Sequence, residues 1–178
     1  MISGTEPGYE AFRTAYEAGQ AQLVWSKRVS DLETPVSAML KLGAMAGGSF
    51  ILESVEGGDW RGRYSILGID PDLIWRVRNG RAEQSDGAFD DAAFVALADP
   101  PLIELRRLLK ANAMPLPAQL PPPAAGLFGY LGYDMIRQME HLPNAPPDGL
   151  FVPEALLMRP RLVAVFDNVA QEITLVTP

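Results

Sequence analysis

Residues 73–84, LIWRVRNGRAEQ, carry the strongest indication of the fold. The segment Leu73–Arg78 is rich in bulky and β-branched side chains, which favour an extended strand. Asn79-Gly80 follows it directly, and this pair favours a two-residue hairpin turn because both residues tolerate a positive φ. The chain is predicted to return along Arg81–Gln84, which makes a short, polar strand.

A second hairpin is predicted further along the chain. The stretches ALLMRPRLVAVFD (155–167) and EITLV (172–176) are apolar and strand-like, and they flank a turn around Asn168. Strands joined by hairpins, without regular alternation of strands and helices, are typical of an α+β protein. The predicted fold is therefore α+β, with a mostly antiparallel sheet and helices packed on it.

The remaining strands are predicted from short apolar stretches, at residues 22–30, 49–55 and 63–68. Asp70-Pro71 combines two residues that favour turns. We therefore expect the chain to turn between the strand at 63–68 and the strand that begins at Leu73.

Helices are predicted where apolar residues recur every three or four positions. They lie at residues 9–18, from Thr34-Pro35 to the glycines at 43, 47 and 48, at 101–112, and at 134–140. The helix at 101–112 has an apolar stripe formed by Leu102, Leu105, Leu108 and Leu109. Residues 85–99 are predicted to be an acidic loop, and the proline-rich residues 115–123 an extended connection. Neither side of that connection looks self-sufficient, so a single domain is predicted over residues 1–178.

The composition excludes several classes of function. The chain has 178 residues, of which 48% are hydrophobic and 21% charged, as in ordinary globular proteins. Its net charge of −7 argues against a nucleic-acid-binding surface, which needs clustered Lys and Arg. There is no cysteine, which excludes disulfides, thiolate metal sites and thiol nucleophiles. His141 is the only histidine, so a histidine triad or a multi-histidine metal site is excluded.

The first residues, MISGTEP, lack the basic and apolar segments of a signal peptide. No stretch approaches the roughly 18 apolar residues that a membrane-spanning helix needs. We therefore expect a cytoplasmic protein with no membrane partner.

The first candidate site combines Leu52-Glu53-Ser54 with Arg61 and Arg63-Tyr64-Ser65 beyond a glycine loop. A carboxylate, a basic group and hydroxyls together could hold both ends of a zwitterion such as an amino acid. The alternative is a strand end with solvated charges, because such clusters are common on protein surfaces.

The run GLFGYLGYD at residues 126–134 has three glycines spaced by three residues. Its spacing does not match a phosphate-binding loop, and close backbone packing is the preferred interpretation over a ligand-facing loop. Asp134 and Glu140, beside His141, could offer carboxylates to magnesium. Two acids on one helical turn are ordinary, however, and no metal site is predicted.

The order of the motifs is more informative than any one of them. Segments at 50–58 (FILESVEGG), 62–68 (GRYSILG), 126–137 (GLFGYLGYDMIR), 140–143 (EHLP) and 157–168 (LMRP to VFDN) resemble the amino-terminal region of anthranilate synthase component I. The resemblance spans nearly the whole chain in the right order.

The resemblance implies a parent enzyme, a carbon–oxygen lyase, that makes anthranilate and pyruvate from chorismate. That family uses magnesium and ammonia, the latter from a glutamine amidotransferase subunit or domain, and its chorismate and magnesium residues lie in a carboxy-terminal half. The present residues are therefore expected to hold no cofactor and to have no synthase activity alone. The family's Leu-Glu-Ser strand lines the site for the feedback inhibitor tryptophan. It corresponds here to Leu52, Glu53 and Ser54, with Arg63, Tyr64 and Ser65 as further candidates.

Two alternatives remain open at this point. One is the matching half of aminodeoxychorismate synthase, a related enzyme of folate biosynthesis. The other is a free-standing amino-acid-binding module. The run Glu-Ser-Val-Glu-Gly-Gly at residues 53–58 favours anthranilate synthase.

Overall fold

The computed structural model describes residues 4–42, 47–53, 62–144 and 150–178. These residues form an antiparallel sheet with helices, so the predicted α+β class is confirmed. The helices are α1 (Tyr9–Glu17), α2 (Pro35–Lys41) and α3 (Pro101–Ala111). The strands are β1 (Val24–Val29), β2 (Phe50–Leu52), β3 (Tyr64–Arg78), β4 (Arg81–Ser85), β5 (Val95–Ala96), β6 (Phe128–Leu131), β7 (Ala155–Asp167) and β8 (Glu172–Thr177).

Hydrogen bonds order the strands β1-β8-β7-β3-β4-β5, with β2 beside β3 and β6 beside β7. Both predicted hairpins are confirmed. Strands β3 and β4 pair around Asn79-Gly80, with Arg78 opposite Arg81, and β7 and β8 pair with Asp167 opposite Glu172. Asn79 and Gly80 both have the positive φ that the tight turn needs, 52° and 71°.

The predicted turn at Asp70-Pro71 is wrong, because β3 runs through both residues without interruption. Asp70 adopts a positive φ of 51°, so the departure from extended backbone lies at this residue within the strand. Asp and Asn tolerate this conformation better than most residues, since their short polar side chains can hydrogen-bond locally. One long strand of 15 residues therefore replaces the two strands predicted at 63–68 and 73–78.

The helices begin where their sequences predict. At α2, the Thr34 side chain accepts a hydrogen bond from the Ser37 backbone N–H, and the Ser37 side chain accepts one from the Thr34 N–H. This reciprocal pair satisfies two backbone donors at the start of the helix. On α3, Leu108 is buried and Leu102 and Leu105 pack against the core, but Leu109 is 53% exposed. Leu109 is therefore wrongly assigned to the buried stripe.

Residues group into two compact units. The first comprises Met1–Pro71, Met114–Gly126 and Pro160–Pro178, and the second comprises Asp72–Ala113 and Leu127–Arg159. The core of the first unit is formed by Leu67, Ala164, Phe166 and Ile173, with Met39 of α2 packed against it. The core of the second unit is formed by Trp75, Val77, Ala82, Leu108, Met135 and Ala155. The single domain predicted from the sequence stays a prediction.

The predicted acidic loop at 85–99 contains two short elements, a 3-10 helix (Asp91–Ala93) and β5, so the loop prediction is wrong for those residues. The buried Arg76 explains the ordering. Its guanidinium hydrogen-bonds Glu83 and Asp91 and lies 3.5 Å from the centre of the Phe94 ring. Asp91 therefore neutralises the Arg76 guanidinium of β3, and this ion pair fixes the position of the loop at residues 85–99.

The glycines of the 126–134 run allow close backbone packing. A Cβ added at Gly129 would lie 1.9 Å from the Leu156 carbonyl oxygen, and one at Gly132 would lie 2.7 Å from the Glu154 carbonyl oxygen. Gly132 also donates its backbone N–H to the Glu154 carbonyl. The packing interpretation of this run therefore fits the structure, because β6 lies directly against β7 and Gly132 lies against Glu154, the residue before β7. The helix predicted at 134–140 is a 3-10 helix over Tyr133–Gln138.

Candidate functional site

The antiparallel pair of β2 and β3 carries most of the predicted site residues. Leu52 lies opposite Ile66, and on a strand Ile66 and Tyr64 point to the same face because side chains alternate. Leu52 and Tyr64 therefore share one face of the sheet. Leu52 is half exposed and Glu53, the next residue, is exposed. These two residues present a branched apolar side chain and a carboxylate at the end of β2.

Ser65 lies on the opposite face of β3. It is only 4% exposed, and the alternation of β3 places it with the buried Leu67. The structure therefore brings Leu52 and Tyr64 together on one face and separates Ser65 from them. Arg61 and Ser54, the hydroxyl residue of the predicted motif, lie outside the described residues.

Arg63 has a strong partner that the sequence analysis missed. Its Nε lies 3.0 and 2.9 Å from the two carboxylate oxygens of Asp167, and its Nη2 lies 2.6 Å from Oδ2. The carbon at the centre of the guanidinium is 5.1 Å from the centroid of the Tyr64 ring. A cation at this distance is attracted by the electron-rich face of the ring. Arg63, Tyr64 and Asp167 therefore form one cluster, called here the Arg63 cluster.

Asp167 is itself fixed by the turn that follows β7. Its Oδ1 accepts the backbone N–H groups of Val169 and Ala170, both at 3.0 Å. The Arg63 hydrogen bonds, followed by these two backbone bonds, hold the pKa of Asp167 below the ordinary value despite its partial burial. The Asp167 hydrogen bond in turn raises the pKa of Arg63. Both groups are therefore charged at neutral pH.

An aspartate directly before a turn is a common way to bind turn N–H groups, so position 167 could have been noticed from the sequence. Its pairing with Arg63 could not, because the two residues are 104 positions apart. Only the neighbouring positions of β3 and β7 in the sheet bring them together.

The concave regions of the described residues include a groove in the first unit and a cleft in the second. In the first unit, a groove of about 680 Å³ is lined by the aromatic rings of α1, Tyr9, Phe12 and Tyr16, and by Val24 of β1. In the second unit, a cleft of about 290 Å³ is lined by Trp75, Glu104 and Arg159 among others. None of the predicted site residues lines either region.

The acids near His141 lie at the surface. Asp134 pairs with Arg137 at 2.9 Å, and Asp134, Glu140 and His141 are all exposed. Within the part of the chain that the structure describes, no three His, Asp or Glu side chains are grouped closely enough to hold a metal ion. Across the same residues, no helix is both long enough and apolar enough to cross a membrane.

Comparisons with known proteins point consistently to one family, although no family model matches the chain. Anthranilate synthase component 1 of Cereibacter sphaeroides is 50% identical over 171 residues, which cover 96% of this chain and 34% of that protein. The protein of the same name from Thermus thermophilus is 40% identical over 153 residues, covering 84% of this chain and 30% of its own length. The chain thus spans about a third of the length of these relatives.

A solved structure gives the same result. Anthranilate synthase component I from Streptococcus pneumoniae aligns with a TM-score of 0.52 and 25% sequence identity, over 82% of this chain and 30% of that one. The solved structure supports the fold, and both comparisons match the amino-terminal third of the family members.

Proposed function

Since the chain belongs to the anthranilate synthase component 1 family and corresponds to the amino-terminal third of its members, we propose that it binds tryptophan and relays feedback inhibition in such an enzyme. The parent reaction in this proposal converts chorismate, with glutamine-derived ammonia, to anthranilate and pyruvate in the cytoplasm. The described residues offer no cluster that fits magnesium, so no step assigned to them runs through that ion. The chain alone is proposed to be inactive as a synthase.

The observation that supports the proposed binding role is the arrangement at the ends of β2 and β3. Leu52 and Tyr64 share a face, Glu53 follows Leu52 in the chain and is exposed, and the Arg63 guanidinium lies over the Tyr64 ring. An acid and a guanidinium match the ammonium and carboxylate of a free amino acid, and the ring and Leu52 offer apolar contact to an indole. Ser54 belongs to this proposed site through the family resemblance.

The proposed regulation is a shift between two states of the enzyme. A ligand changes activity only if it binds the two states with different affinity. Tryptophan held between this region and a carboxy-terminal catalytic half would favour the state that closes poorly over chorismate. A coupling free energy of about 1–3 kcal/mol would be sufficient, which corresponds to a roughly 5- to 150-fold change in affinity.

The second unit has an apolar surface that fits a partner region. Leu150, Phe151 and Val152 are 81%, 78% and 57% exposed. Large apolar side chains grouped along a short stretch of chain are unusual on a surface that faces only water. We assign this surface to the carboxy-terminal catalytic half, and the glutamine amidotransferase is the other proposed partner.

The test is tryptophan inhibition of the complete enzyme. Ser54→Phe is expected to raise the tryptophan concentration that halves anthranilate formation by about 5- to 150-fold, because the larger side chain would fill the pocket. Leu32→Phe, at a position that is 87% exposed in the same unit, is the matched control and is expected to leave the curve unchanged. An unaltered inhibition curve for Ser54→Phe would remove Ser54 from the site. Absence of tryptophan binding to the unsubstituted enzyme would refute the regulatory role.

A further inference from the structure

We propose that Asp167 is a positioning residue that orients the Arg63 guanidinium to bind the carboxylate of the effector amino acid. This inference rests on the proposed function and adds a residue to it. Asp167 occupies one edge of the guanidinium, the edge formed by Nε and Nη2, through bonds of 2.6 to 3.0 Å.

Among the described residues, no acceptor occupies the edge of the guanidinium formed by Nη1 and Nη2. Arginine has five N–H donors, and Asp167 takes the Nε–H and one of the two Nη2 donors. Neither Nη1 donor nor the second Nη2 donor has an acceptor among the described residues. The edge formed by Nη1 and Nη2 presents two parallel N–H groups, the arrangement that binds a carboxylate through both of its oxygens.

Several contacts hold this edge in one direction. The Asp167 side chain is only 15% exposed, and its own orientation is set by the N–H groups of Val169 and Ala170. The Tyr64 ring lies against the guanidinium at 5.1 Å. Arg63 is otherwise a long, flexible side chain that is 43% exposed, so without Asp167 it would lose rotamer freedom when it bound a ligand. The hydrogen bonds to Asp167 order the Arg63 side chain before a ligand binds, so less rotamer freedom is lost on binding.

The charge of Asp167 acts in the opposite direction, because it neutralises Arg63 and repels a second carboxylate. With Arg63 this exposed, solvent and salt screen the repulsion strongly. The fixed orientation is therefore expected to be the larger effect. A purely structural alternative is that the pair only joins the start of β3 to the end of β7.

Asp167→Asn separates these roles. The asparagine Oδ1 can still accept the Val169 and Ala170 N–H groups, so the turn is preserved. Its amide NH2 replaces Oδ2, which accepts the Nη2 hydrogen bond and one of the two Nε hydrogen bonds, so the two-point contact with Arg63 is lost and at most the Nε bond to Oδ1 remains. Arg63→Met, which removes the guanidinium but keeps an unbranched side chain, is the companion variant.

The experiment measures the affinity of the complete enzyme for tryptophan and for tryptamine, which lacks the carboxylate, by calorimetry. Asp167→Asn is expected to weaken tryptophan binding by about 2- to 10-fold, the cost of ordering one long side chain, and to leave tryptamine binding unchanged. In the Arg63→Met background, Asp167→Asn is expected to have no further effect.

Two results would overturn the inference: an unchanged preference for tryptophan over tryptamine, whether both affinities change equally or neither changes, or tighter tryptophan binding in Asp167→Asn. Each would leave the proposed function standing, provided that the unsubstituted enzyme binds tryptophan. Failure of the unsubstituted enzyme to bind tryptophan would instead refute the proposed function itself.

Discussion

Gly129 is the position where replacement by alanine is expected to be most damaging. An added Cβ would lie 1.9 Å from the Leu156 carbonyl oxygen and 2.8 Å from its carbonyl carbon. These are backbone atoms of the neighbouring strand, so no side-chain rotation can relieve the contact. Gly129 also has a φ of +154°, in a region that residues with a Cβ rarely adopt.

Two nearby glycines separate these two causes. Gly126 has a similar φ of +143° but no atom within 4 Å of an added Cβ, so alanine there introduces backbone strain alone. Gly132 has an ordinary φ of −70°, but its added Cβ would lie 2.7 Å from the Glu154 carbonyl oxygen. Strain is expected to cost about 1–3 kcal/mol and overpacking another 1–3 kcal/mol. Gly129→Ala combines both, for a total of about 2–6 kcal/mol.

The measurement is urea unfolding of the three alanine variants, followed by tryptophan fluorescence. Gly129→Ala is expected to lower the free energy of unfolding more than either Gly126→Ala or Gly132→Ala. A Gly129→Ala variant no less stable than Gly126→Ala would show that β6 can move away from β7 at little cost. The close approach of the two strands would then not be what requires glycine at position 129.

Three further predictions concern the first unit. Phe166→Ala, at a core position that is 2% exposed, is expected to lower the free energy of unfolding by about 3–5 kcal/mol in urea titrations, whereas Val169→Ala, at a position that is 74% exposed, should change it by less than about 0.5 kcal/mol. Thr34→Ala removes the side-chain cap of α2 and is expected to cost about 0.5–2 kcal/mol, with Thr34→Ser as the control that keeps the hydroxyl. Because the hydrogen bonds from Arg63 lower the pKa of Asp167, its contribution to stability is present above the ordinary carboxyl pKa of about 3.9 and is lost as the pH falls through the lowered value. The stability difference between the unsubstituted chain and Asp167→Asn should therefore be largest near pH 7 and shrink towards pH 3; a constant difference would contradict this assignment.

Local sequence patterns predicted the fold best where one or two residues decide the geometry. Asn79-Gly80 predicted the hairpin between β3 and β4, and Thr34-Pro35 predicted the start of α2. Asp70-Pro71 carried an equally strong turn signal, yet β3 continues through it. Asp70 has a positive φ, and β3 continues through Pro71. Whether a strand continues through such a pair depends on its pairing with neighbouring strands, which a local sequence pattern does not contain.

The candidate site was predictable only in part. The Leu-Glu-Ser motif and Arg63 were found because they lie close together in the sequence and resemble a known family. Asp167 was missed because its role depends on a partner 104 positions away. Ser65 was grouped with the site because it is close along the chain. Side chains alternate between the two faces of β3, however, and Ser65 lies on the buried face.

The pairing of β1 with β8 has a consequence for synthesis of the protein on the ribosome. Lys27 of β1 and Glu172 of β8 are 145 positions apart, so the amino-terminal strand emerges long before its partner exists. At translation rates of about 5–20 residues per second, β1 waits roughly 7–30 seconds for β8. During that interval its hydrogen-bonding edge is open to other nascent chains, and a chaperone that covers it would be expected to raise the yield of correctly folded protein.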